Sequence, residues 1–131
     1  MTRIDKFENI IAWQKARTLT RDVYACSKFG SFAKDFGLRD QIQRASVSTM
    51  ANIAEGFERE GDREFIQFLS DSKGSCGEVR SHLYVALDQG YVSQSRFEEL
   101  ATEAFEVSRL VSGFMAYLRK SNLRGRKYRD V

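Results

Sequence analysis

Not one of the chain's 131 residues is proline. Proline lacks a backbone N–H and collides with the preceding helical turn, so its absence leaves long helices uninterrupted. Apolar residues recur at steps of three and four almost everywhere, the period of one helix face, and no stretch alternates as a half-buried strand does. In the first segment Ala12, Ala16, Leu19, Val23 and Cys26 carry this period. Lys28 to Lys34 reads as a loop, with Gly30 and Ser31 stopping the helix. A second helix starts near Asp35, runs to about Gly56 and turns Leu38, Ile42, Ala45, Thr49 and Ile53 inward.

Gly61-Asp62 makes the next turn, with Asp62 as N-cap. Phe65, Leu69, Ser72, Cys76, Val79, Leu83 and Ala86 hold the spacing of a third helix, and Gly90 stands where a C′ glycine belongs. Gly74-Ser-Cys-Gly77 lies inside that helix, its small residues suited to close helix approach. Ser95 and Glu98 have capping-box spacing ahead of a fourth helix with Phe97, Leu100, Ala104, Val107, Val111, Phe114 and Leu118 inside. Four amphipathic helices on short loops cover their stripes only against one another. The expected fold is therefore all-α, an antiparallel up-down four-helix bundle, in one domain over residues 1–131 with a basic tail from about residue 119.

A chain of this size buries roughly two-thirds of its unfolded surface, enough for a core without metal or disulfide. Cys26 and Cys76 sit at core-like positions without metal-ligand spacing and read as buried free thiols of a reducing compartment. No apolar run reaches the roughly 20 residues a bilayer requires, and the first residues lack the pattern of a secretory signal. A cytoplasmic protein with no membrane partner is the expectation.

The second helix carries a polar line, Gln41, Arg44, Ser48, Asn52 and Glu55, on one side next to its apolar stripe, and the third offers Glu64 and Glu78 opposite. Such a line could form a pocket or a carboxylate pair. The weightier reading is a hydrogen-bonded layer in which Glu78 or Glu64 neutralises Arg44, because buried polar groups are normally paired. Two-iron bundles need a Glu-x-x-His on each of two helices. Here His82 is the lone histidine and Glu78 precedes it by four positions, so no metal is expected. No nucleophile elbow or glycine-rich phosphate cradle occurs either, which argues against an enzyme and against a cofactor.

Two surface features remain. Trp13, Tyr24, Ile66, Tyr84, Leu87 and Phe105 fall off the core stripes, and the first loop adds Phe29, Phe32 and Phe36. Together they suggest a self-association interface. The net charge of +3 is unevenly spread: residues 119–131 hold six Lys or Arg against one acid, and residues 55–118 hold six against twelve. Arg119, Lys120, Arg124, Arg126, Lys127 and Arg129, extended by Lys15, Arg17 and Arg21 of the first helix, point to RNA or DNA phosphates. A protein–protein adaptor is the alternative.

The second and third helices also carry a recognisable pattern. The run from Phe36-Gly-Leu through Gln41, Arg44 and Ser48 to Asn52-Ile-Ala-Glu55-Gly56 resembles the four-helix-bundle proteins of 23S ribosomal RNA intervening sequences. Ala12-Trp13-Gln14-Lys15-Ala16, Glu64 to Leu69, Gly74 to Val79 and Gly90-Tyr91-Val92 extend the match. Where the family usually has two consecutive arginines, this chain has Gln43-Arg44. The resemblance implies a ring-like homopentamer, and a similarity to accessory proteins of diversity-generating retroelements, which bind nucleic acid with a reverse transcriptase.

Overall fold

The absence of proline is matched by helix over most of the chain. The computed structural model describes residues 3–120 and 128–129. A two-residue strand, β1 (Arg3–Ile4), and a 3₁₀ turn at Phe7–Asn9 lead into helix α1 (Ile11–Ser27). There follow α2 (Gly30–Lys34), α3 (Phe36–Glu58), α4 (Asp62–Asp88), α5 (Gln94–Lys120) and the strand β2 (Tyr128–Arg129). The segment read as a loop is thus a five-residue helix, started by Gly30 at a left-handed φ of 61°.

Cross-helix contacts fix the direction of every neighbour. Between α1 and α3, Thr20 Oγ1 donates to the Ser46 carbonyl at 3.0 Å and Gln43 Nε2 donates to Ser27 Oγ at 2.9 Å. Between α3 and α4, Ser72 Oγ donates to the Thr49 carbonyl at 2.6 Å, and Gly56 lies against Phe65. Between α4 and α5, Cys76 Sγ donates to the Ala104 carbonyl at 3.0 Å, and the Phe65 and Phe114 rings meet edge-on at 5.1 Å. Lys15 and Asp22 of α1 reach Glu106 and Arg96 of α5 at 3.9 and 4.0 Å. In each pair later residues of one helix meet earlier residues of the other. The four long helices therefore close an antiparallel up-down bundle in the order α1, α3, α4, α5.

The inward stripes of α3, α4 and α5 are buried residue for residue as their spacing predicts. In α1 the last position differs: Ser27 is buried and Cys26 only half-buried. Ser27 tolerates this because its hydroxyl donates to the Val23 carbonyl at 2.7 Å and accepts from Gln43.

The helix ends follow local chemistry, with two shifts from the sequence reading. Asp35 caps α3, its Oδ1 accepting from the Leu38 amide at 3.2 Å. At α4 the N-cap is Gly61, and Asp62 is the first helical residue, where its charge complements the helix dipole. At α5 the cap is Ser93, not Ser95: Ser93 Oγ accepts from the Arg96 amide at 3.0 Å and its carbonyl from the Phe97 amide at 2.8 Å. Gly90, at φ 75°, ends α4 as expected, with the Tyr91 amide donating back to the Ala86 carbonyl at 2.9 Å. Gly74 and Gly77 do not serve close approach, since a Cβ on either would meet nothing within 4 Å. The tight contact is at Gly56.

Candidate nucleic-acid interface

The first and last described segments pair with each other. β1 pairs antiparallel with β2, setting Arg3 opposite Arg129 and Ile4 opposite Tyr128, and Ile4 is buried. Arg119 and Lys120 end α5 and are exposed, at the end of the bundle where α1 begins. Arg124, Arg126 and Lys127 lie outside the described residues. On α1, Arg17 and Arg21 are exposed, and the Arg17 guanidinium stands 5.9 Å from the centre of the Trp13 ring. Lys15 faces the other way, toward Glu106 of α5. Arg17 and Arg21 therefore share a surface that Lys15 does not.

The polar line of α3 divides into two parts. Its middle is committed to the α3–α4 seam: the Ser48 and Ser75 hydroxyls share a hydrogen bond at 2.9 Å, and Asn52 Nδ2 donates to the Ser48 carbonyl and hydroxyl at 2.9 and 3.0 Å. Above it Gln41, Arg44, Ala45, Ser48 and Glu78 line an open cleft of about 230 Å³. Arg44 is exposed there, and among the described residues neither Glu78 nor Glu64 pairs with it, contrary to the layer read from the sequence. Both Arg44 and Glu78 are exposed at this cleft. Glu55 and Glu64 instead approach Arg59, at 2.8 and 3.9 Å, on the exposed α3–α4 turn.

The proposed interface rings also separate. Phe32 is 1% exposed and stacked on Tyr91 at 5.3 Å, so it belongs to the core. Trp13, Ile66 and Leu87 are partly buried against that core, and Trp13 meets Phe7 edge-on at 5.2 Å. Tyr24, Phe36, Tyr84 and Phe105 do stand exposed, as does Phe29. Arg39 covers the Phe36 ring at 4.9 Å and Arg80 the Phe105 ring at 5.5 Å.

The pattern of the 23S rRNA-intervening sequence protein family matches residues 8–113, which takes in α1, α3 and α4 whole and most of α5. The chain belongs to that family. Among solved structures, this family member is similar to a protein of unknown function from the S23 ribosomal protein family of Bacteroides thetaiotaomicron. The two share 21% identity at a TM-score of 0.74, over 80% of this chain and 98% of that one. The correspondence supports the bundle. No curated protein matches the chain.

One group of this family member escapes a reading by motif. Glu103 of α5 lies in the seam with α1, near Asp22, Arg96 and Glu99. Its Oε1 is sealed from solvent and accepts no hydrogen bond among the described residues. Burial first, then hydrogen bonding with Asp22 and the charges of Asp22 and Glu99, push its carboxyl up to about 7, against the opposing pull of Arg96. The signal in the sequence is only that position 103 falls beside the inner stripe residue Ala104. Among the described residues no group of three or more His, Cys, Asp or Glu is placed to hold a metal ion, and no helix is long and apolar enough to cross a membrane.

Proposed function

We propose that this protein is a non-enzymatic, self-associating scaffold of the cytoplasm whose basic end contacts RNA or DNA phosphates. The observation that carries this reading is the pairing of Arg3–Ile4 with Tyr128–Arg129. It sets Arg3 opposite Arg129, and Arg119 and Lys120 stand exposed at the end of α5, at the bundle end where α1 begins; in sequence, residues 119–131 hold six cations against one acid. Phosphate binding by clustered Lys and Arg releases counterions and needs no base contact. The exposed rings of Phe29, Phe36, Tyr84 and Phe105 support self-association. The committed hydrogen bonds of Ser48, Asn52 and Ser75 support a structural role for the polar line. A ring of five subunits is the assembly that the family resemblance adds.

Affinity for RNA or DNA should fall steeply with salt, and deleting residues 119–131 should flatten that dependence. Binding that ignores salt, or no binding at low salt, ends the reading. Native mass spectrometry of the same preparation reports subunit number, and a lone subunit at micromolar concentration ends the scaffold part. The same exposed rings favour a second reading, a protein–protein adaptor, which partners surviving nuclease treatment would support.

A further inference from the structure

The outer side of α1 carries a run that the basic tail does not explain. Trp13, Arg17, Arg21, Tyr24 and Lys28 follow one another at steps of four, four, three and four, which places them in one file along a helix. Arg17, Arg21, Tyr24 and Lys28 are exposed, and Trp13 is half-buried. The file spans about 22 Å at the rise of an α-helix. Phe29, 66% exposed, continues it at the end of the helix.

Two of its three cations lie against rings. Arg17 stands 5.9 Å from the Trp13 ring centre, and Lys28 Nζ 5.6 Å from that of Phe29. The acid of α1, Asp22, is turned to the α5 seam, where Arg96 meets it at 4.0 Å. The file therefore carries three cations and no carboxylate. It flanks the side on which Thr20 meets Ser46 of α3, away from the Lys15–Glu106 contact with α5.

From this arrangement we infer that the outer file of α1 is a binding track for single-stranded nucleic acid, with Tyr24 and Trp13 offering faces to unstacked bases and Arg17, Arg21 and Lys28 following the phosphates. Interleaved rings and cations are what sequence-tolerant single-strand sites use, because every base has a π-face and every phosphate a charge. A duplex hides the base faces, so it would engage the cations alone. Two copies of this file repel each other, and an apolar protein surface would leave three cations without partners. The inference rests on the nucleic-acid reading above and sharpens it to a strand form and to a surface on α1.

Trp13 is the single tryptophan of the chain, so its fluorescence reports directly on the file. The full-length protein is titrated with a thymidine DNA oligomer of about 15 nucleotides, within the span of known single-strand sites, and with a duplex of equal length. The single strand should quench Trp13 and bind about tenfold more tightly than the duplex. Tyr24→Ala should weaken the single strand by about tenfold and leave the duplex unchanged. Arg21→Gln should weaken both and reduce the salt slope by about one. Deleting residues 119–131 should lower both affinities and keep the preference. Equal binding of both forms overturns the track and leaves the phosphate reading intact; no binding of either overturns both. Should Tyr24→Ala alter the subunit number without touching single-strand affinity, the file is a protein interface and the inference fails.

Discussion

Gly56 of α3 lies so close to Phe68 of α4 that a Cβ at position 56 would stand 2.8 Å from the Phe68 Cβ. The same atom would stand 2.8 Å from Cδ1 of Phe65. Phe65 cannot swing away, because it is fully buried and its ring is fixed edge-on between Phe57 and Phe114. Gly56→Ala should therefore lower stability by about 1–2 kcal/mol, as overpacking of about 1–3 kcal/mol outweighs the gain of up to about 1 kcal/mol in helix propensity. Gly77→Ala, facing open space in α4, should raise stability by about 0.5–1 kcal/mol. Urea denaturation midpoints of the two variants check both signs.

Gly56 and Gly77 differ in a way that helical periodicity does not carry. Periodicity finds which helix face is buried, since burial repeats with the helical turn, and so Leu38 to Ile53, Phe65 to Ala86 and Phe97 to Leu118 were readable. It does not say how far apart two buried faces stand. Gly74 and Gly77 looked like a close approach and are not, while Gly56 is one because its neighbour helix brings two phenylalanines to it. The same limit explains Arg44: its line on α3 is visible in the sequence, but the open cleft that separates it from a pairing with Glu78 is a matter of tertiary geometry. Phe32 sits in a short helix that periodicity cannot resolve, and it turns inward because Tyr91, tied to Asp35 by a 2.9 Å hydrogen bond, offers a ring to stack on.

Arg44→Gln tests the cleft. A buried arginine stripped of its carboxylate partner would be costly to replace, whereas an exposed one without an ion pair should change stability by no more than about 0.5 kcal/mol. Thermal melts of Arg44→Gln and Glu78→Gln should both overlay the parent. A loss well above that range in either would show that the two side chains pair in solution.

The two thiols should differ sharply in reactivity. Burial pushes the Cys76 thiol up to about 11, and its Sγ donates to the Ala104 carbonyl at 3.0 Å. The thiolate is the reactive form, so Cys76 should resist alkylation by iodoacetamide at pH 8 until denaturant is added. Cys26, half-buried and also raised chiefly by burial, should label slowly in the native protein. Peptide mapping of labelled protein separates the two sites. Fast native labelling of Cys76 would mean that the α4–α5 seam opens readily.

Glu103 should make stability respond to pH against the usual direction for a carboxylate. Its carboxyl titrates near 7 in the fold, against an ordinary value of 4.5. The folded chain therefore holds a proton between those values that the unfolded chain has released. The stabilising contribution is complete below the unfolded value, declines as pH rises through the window, and is gone above about 7. Because the side chain is only half-buried, solvent screening should limit the effect to the order of 1 kcal/mol. The comparison is with Glu103→Gln, which keeps the shape and removes the charge. That variant should match the parent near pH 5, exceed it at pH 8, and show a flatter melting profile between. The Asp22→Asn variant should relieve part of the same penalty, since the facing carboxyl is the second cause of the shift after burial itself. If Glu103→Gln follows the parent at every pH, the α1–α5 seam is wet enough to solvate both carboxylates, and the sealed Oε1 does not persist in solution.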